Sequence, residues 1–221
     1  MLQDRMSQLE EIINLRLLLE IFKGQAAWYK INQGFNPVCF ETRNNRAGHV
    51  KCRGAQGMLV GALKLVYKSG QVRCVSDVAY NSRWGCHGYS SFKVYPLNVI
   101  KTNRHENLIF PLQQFIKHGS GLWYTMPVVD DKHSDELVFS SFDYPLYLHP
   151  YMELRVWFGE DLKNWANSDN QGRVCVDVFG YVIGDIGASA GGSPEGGTSI
   201  AQSLLQNLKT SLSSIMQKNW T

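Results

Sequence analysis

The 221-residue sequence is short of the features that most often announce a function. It has no G-x-S-x-G, no H-E-x-x-H, no P-loop and no dinucleotide-binding fingerprint, which lowers the case for an enzyme without removing it. No stretch reaches 18 consecutive apolar residues, so no transmembrane helix is expected. The best apolar run, IINLRLLLEIF, is broken by Asn14, Arg16 and Glu20. The same charges spoil it as a secretory leader, and no small-residue cleavage site follows. Lysines and arginines are scattered, the formal net charge is only +3, and no basic run suits a nucleic-acid groove. The five cysteines include no CxxC pair, which argues against a zinc ribbon or a thioredoxin-type motif.

What the chain does have is aromatic residues, at 12%, and 20 glycines. Both suit a β-rich domain with many turns. Between residues 25 and 185 short β-type runs (PVCFE, MLVGALKLVY, QVRCVS, SFKVYPLNVI, NLIF, GLWYTM, ELVFSS, YMELRVWF, RVCVDVFGYVI) alternate with turn chemistry such as RNNRAGH, KSGQ, NSRWGCHG and NSDNQG. No convincing helix lies among them, so an antiparallel β-sandwich or barrel is expected rather than a βαβ fold. Alternation is cleanest late in the chain. Met152, Leu154, Val156 and Phe158 share one face, and so do Val174, Val176, Val178 and Val182. Cys175 and Asp177 then sit side by side on the opposite surface.

Two amphipathic helices are expected to flank this domain. Residues 1–24 carry Met6, Leu9, Ile13 and then Ile12, Leu15, Leu19 and Phe22 at 3-4 spacing, closed by Gly24. Residues 186–198 read as a Gly/Ser linker, and 199–221 place Ala201, Leu205, Leu208, Leu212 and Ile215 at helical spacing. Each stripe must bury itself on something, and self-association into a homo-oligomer is the expectation. Asn219-Trp220-Thr221 is a formal glycosylation sequon.

The cysteines bear on the compartment. Read as a whole chain, the absence of a leader points to the cytosol and five reduced thiols. Read as a segment of a longer chain, the sequence leaves the compartment open. The position of Cys74 and Cys86 favours disulfides: their 11-residue spacer is rich in turn formers, so a hairpin can set them opposite each other. A catalytic Cys86–His87 dyad is disfavoured, because adjacent strand residues point to opposite faces.

Two stretches carry candidate chemistry. The loop after YMELRVWF holds Glu160, Asp161, Asp169 and Asn170, hard oxygen donors of the kind calcium takes. It is not an EF-hand. Asn167, Asp169, Gln171 and Gly172 match loop positions, but Val178 stands where the bidentate glutamate belongs. The competing reading is a polar loop whose amides and carboxylates satisfy turn backbone. The second stretch, VVDDKHSDE, offers Asp130, Asp131, His133, Asp135 and Glu136, either as a hydrolase's carboxylates or as a solvated loop. Trp165, inside the acidic loop, and Trp84 are candidate ligand-binding platforms.

PVCFETRNN, LKLVYKSGQVRC, RWGC and LRVWFGEDLKNWANSDNQGRVCVDVFG resemble an uncharacterised extracellular domain family of cnidarians and other marine invertebrates, over residues 28–184. The resemblance implies an extracellular setting and oxidised cysteines, with Cys39, Cys74, Cys86 and Cys175 the paired set and Cys52 the free thiol. The functional expectation is a non-enzymatic recognition or structural module. It is lectin-like in taking a glycan or protein ligand, calcium-stabilised, and multivalent through its helices. The alternative is a hydrolase using carboxylates from 130–136 or 160–169.

Overall fold

A computed structural model describes residues 27–32, 34, 36–52, 57–141 and 145–185. The expected helices over 1–24 and 199–221, the linker 186–198 and self-association through the helices all fall outside these residues. Among the described residues the one α-helix is a single short turn, α1 (Gly159–Lys163).

The rest is β-structure: β1 (Ala27–Lys30), β2 (Val38–Glu41), β3 (Gly48–Lys51), β4 (Met58–Arg73), β5 (Val99–Asn103), β6 (Leu108–Phe110), β7 (Ile116–His118), β8 (Trp123–Tyr124), β9 (Glu136–Ser140), β10 (Leu146–Leu148), β11 (Glu153–Phe158) and β12 (Gln171–Asp185). A six-stranded sheet runs β1-β12-β4-β10, with β2 also on β12 and β9 also on β4. A four-stranded sheet runs β3-β11-β5-β6, and β7 and β8 form a separate ribbon. The first and last strands are antiparallel neighbours, with Ala27 opposite Val182. This is the all-β sandwich that the alternating runs imply.

The expected alternation is what fills the space between the sheets. Val174, Val176 and Val178 of β12, with Leu63 and Leu65 of β4, join Leu154 and Val156 of β11 and Val99 of β5 in one core. Each such side chain contributes about 1.5–3 kcal/mol when taken fully out of water. β5 is buried on both faces, and this sends Lys101 into the core. Its ammonium lies 2.8 Å from the centroid of the Phe139 ring and makes no hydrogen bond among the described residues. Burial holds the Lys101 amine well below its ordinary value.

One expected turn is absent. KSGQ does not separate two strands, because β4 runs through it for 16 residues. Gly70 (φ +91°) and Gly172 (φ +108°) explain the difference. A Cβ on Gly70 would collide with the carbonyl oxygen of Arg173, and one on Gly172 with that of Gln71. The two glycines let neighbouring strands pass closely where a side chain would force them apart, so the composition that marks a turn here marks a close crossing.

The cysteines pair as Cys39–Cys175 and Cys74–Cys86, with Cα separations of 4.0 and 5.4 Å. Cys39 and Cys175 are direct register partners on β2 and β12. Cys52 is a buried free thiol whose pKa burial raises to about 11.

Candidate functional site

The acidic loop is built by α1 and the residues that stop it. Gly159 N–H donates to the Asn98 carbonyl at 2.8 Å, and Glu160 N–H to Asn98 Oδ1 at 3.1 Å, so one buried asparagine pins the start of the turn. Asn164 ends it in the left-handed region (φ 45°, ψ 42°), and Ala166 repeats that conformation at φ 49°. Two of three consecutive residues therefore take the left-handed conformation. Glu160, Trp165, Ala166 and Asp169 are left on one side of the loop. Asp161, Asn164, Asn167 and Ser168 are left on the other.

The first side is an aromatic cleft of about 500 Å³. Phe92 lies at its centre, stacked on the buried Trp123 ring at 3.9 Å and 14°. Tyr89, Tyr95 and His118 surround it, with ring centroids 5.6, 6.2 and 6.0 Å from Phe92. Trp165 closes the wall from the loop, 4.8 Å from His118 and 6.5 Å from Phe92. Its ring lies over Gly121, where a Cβ would come within 2.8 Å of it. Trp165 is half-buried, so part of the indole stays open to the cleft. Cys74 also lines the cleft, which ties its wall to the Cys74–Cys86 bridge.

Glu160 sits at the polar end of the cleft, only 1% exposed. Trp123 Nε1 donates to one carboxylate oxygen and Asn170 Nδ2 to the other, both at 2.9 Å. Burial pushes its pKa from 4.5 to about 7; the two donors oppose the rise and the charge of Asp169 adds to it.

The four expected calcium ligands are parted by the loop. Glu160 and Asp169 face the aromatic cleft. Asp161 faces the other side, where the backbone N–H groups of Asn45 and Arg46 donate to it at 3.1 and 3.0 Å. Burial raises the Asp161 pKa, and these bonds offset part of the rise. Asn170 lies fully buried beneath the loop, donating to the Thr42 carbonyl as well as to Glu160. Among the described residues no three of His, Cys, Asp and Glu are grouped so as to hold an ion.

The second expected platform needs correcting. Trp84 is fully buried, and its Nε1 donates to the Ser134 carbonyl at 2.8 Å. With no exposed ring it supports the core, and a ligand has no access to it. Phe92, Tyr89, Tyr95 and His118 went unremarked as platforms. The signal for the first three is the aromatic density of YSSFKVY, most of which falls in the expected strand SFKVYPLNVI; nothing in the sequence marks His118.

The carboxylates of 130–136 are dispersed. Asp130 accepts from the N–H groups of Lys132 and His133 at 2.8 and 2.9 Å. Asp131 meets His87 at 3.2 Å, Asp135 meets Arg83 at 2.6 Å, and Glu136 meets Lys64 at 3.1 Å.

Neither a family model nor a curated relative matches the chain. Among solved structures it is similar to AJLec from the sea anemone Anthopleura japonica, at 35% sequence identity and a TM-score of 0.62. The similarity covers 71% of this chain and 97% of that one. A sea-anemone structure thus stands where the sequence resemblance pointed to cnidarians, and at this identity and coverage the chain belongs to the AJLec family.

Proposed function

We propose that this protein is a non-enzymatic, extracellular glycan-binding module whose ligand seats against Trp165, in the cleft that the buried Phe92 backs. The observation that carries the reading is the pairing in one cleft of an aromatic wall with a polar end at which Asp169 and Ser91 are exposed. A sugar ring presents C–H groups on its faces and hydroxyls on its rim. An aromatic face takes the first and carboxylates or hydroxyls take the second. Membership of a family that includes the lectin-like AJLec agrees with this chemistry, and the two disulfides suit an oxidising, extracellular compartment.

The hydrolase alternative has less support. It needs two carboxylates at one substrate position, one of them free to give up a proton. Each carboxylate of 130–136 has its own partner. Glu160 accepts from protein donors at both oxygens.

Trp165→Ala tests the glycan reading. On a glycan array and by titration with the best glycan found, the variant is expected to bind on the order of tenfold more weakly, the upper range for one lost aromatic contact. Unchanged binding places the ligand elsewhere.

Calcium at the acidic loop is a second reading, favoured by the presence of Glu160 and Asp169 on one cleft and by the charge of Asp169 acting on Glu160. If it holds, calcium at a hundred times its dissociation constant stabilises the fold by about 2.7 kcal/mol, and Asp169→Ala removes the gain. Equal melting temperatures in calcium and in chelator leave the loop as a polar turn. Homo-oligomerisation through the apolar stripes of 1–24 and 199–221 would make weak single sites multivalent. Sedimentation of the full chain as a monomer would dispose of it.

A further inference from the structure

The opposite side of the loop has a cleft of its own, of about 240 Å³, between residues 43–45 and 161–168. It contrasts with the aromatic cleft in chemistry. Asn44 and Asn45 line one wall, Asn164, Asn167 and Ser168 the other, and no aromatic ring borders it. Asp161 is its tie. By accepting from Asn45 N–H, Arg46 N–H and Asn167 Nδ2 (3.4 Å), this buried carboxylate locks the two loops together. The walls are therefore set before any ligand arrives. Three of the asparagines are fixed by backbone shape as well, with φ of 69°, 54° and 45° at Asn44, Asn45 and Asn164.

The hydrogen-bonding capacity of these walls is largely unspent. Asn44 makes no side-chain bond among the described residues. Asn167 spends its amide only on long bonds, at 3.4 and 3.5 Å. Arg43, at the rim, is exposed and touches the Ser168 carbonyl at 3.5 Å. Paired donors and acceptors on preset walls, with no apolar platform, suit a ring of hydroxyls rather than an apolar or aromatic group. The position matters equally. Ala166 rims the aromatic cleft and its chain neighbour Asn167 rims this one, so the same loop walls both.

We infer that the amide-lined cleft is a second subsite of one glycan site, taking the hydroxyls of the sugar next to the one stacked on Trp165. This rests on the reading of the aromatic cleft as a glycan site and adds a ligand class to it: neutral oligosaccharides of two or more units, bound astride the 164–169 ridge. Trp165 then supplies most of the affinity for a single ring, and Asn44 and Asn167 supply the gain with chain length.

The test compares wild type, Trp165→Ala and Asn44→Gly/Asn167→Ala by calorimetric titration, with glycine chosen at 44 because its φ is positive. The probes are two neutral series: glucose, maltose and maltotriose; and galactose, lactose and lacto-N-neotetraose. In the series that binds, wild type gains on the order of tenfold from one sugar to two, the effect of one or two added hydrogen bonds. The double variant keeps the single-sugar affinity and loses the gain. A wild type with no gain, or a double variant that retains it, overturns the second subsite. Binding unchanged by Trp165→Ala, or no binding of any probe by wild type, overturns the reading beneath it and the subsite with it.

Discussion

Replacing Glu160 by glutamine should make the protein more stable above neutral pH and erase part of its pH dependence. Glu160 is 1% exposed, and burial raises its pKa from 4.5 to about 7. A carboxyl whose folded-state pKa lies above its unfolded value binds protons more tightly when folded. Its contribution is therefore fully present below pH 4.5 and is lost as pH rises through about 7. At 1.36 kcal/mol per unit the loss is about 3 kcal/mol. The amide side chain is nearly isosteric and cannot ionise, so the variant escapes that loss. It must still re-form one hydrogen bond, because its NH2 would face the Asn170 Nδ2 that now donates to Glu160. That costs about 1 kcal/mol. The net expectation at pH 8 is a gain of about 2 kcal/mol, or about 1 M in the urea midpoint at an m-value of about 2 kcal/mol/M. Urea denaturation at half-unit steps from pH 4 to 8 measures it. Wild type should lose stability relative to the variant between pH 4.5 and 7. Parallel profiles, or a variant less stable at pH 8, would refute the argument from burial.

Further expectations follow from the core and the crosslinks. Lys101→Met should stabilise the fold at pH 7, and its advantage should grow as pH falls from the ordinary lysine value of 10.5 towards the depressed folded one, because wild type loses stability across that window; a variant that is less stable at every pH would show that the Phe139 contact outweighs desolvation. Gly172→Ala should cost several kcal/mol or prevent folding, since it joins a positive φ to a collision with the Gln71 carbonyl; an unchanged melting temperature would mean that β4 and β12 can separate there freely. In the chain-entropy model, opening Cys39–Cys175 (separation 136) with a double serine variant costs about 5 kcal/mol, against about 3 kcal/mol for Cys74–Cys86 (separation 12). Calorimetry on the two variants would reverse the entropic account if the shorter loop proved the costlier.

The strands could be read because burial enforces period two: the valines of 174–178 and the apolar positions of 152–158 face the core as their alternation required. β1 and β3 were not: AWYK is a mostly exposed four-residue edge segment, and GHVK alternates in burial but has only Val50 as an apolar side chain to show it. The acidic loop shows a different limit. Counting hard oxygen donors pointed to calcium. Spacing does not reveal that N–H groups hold Asp161 on one side of the loop, that Glu160 is buried with a raised pKa on the other, or that Asp169 stands in solvent. Trp165 could be singled out because it lies inside that loop. Its companions Phe92 and His118 come from segments 73 and 47 residues away, and only tertiary packing brings them to it.

The antiparallel pairing of the first and last strands decides how the domain would meet tension. Residues 27 and 182 lie side by side, so a pull on the two ends opens the β1–β12 ladder one rung at a time instead of shearing all its hydrogen bonds together. Peeling can proceed through 27–30 and 179–182, and then it reaches Cys39–Cys175. There a covalent bond takes the load, and everything between residues 39 and 175, both clefts included, is spared it. The domain can thus yield a short length of chain at its edge while its binding surface stays folded. Single-molecule extension should show this as a short first release in oxidising buffer, and as full unravelling only once the bridge is reduced.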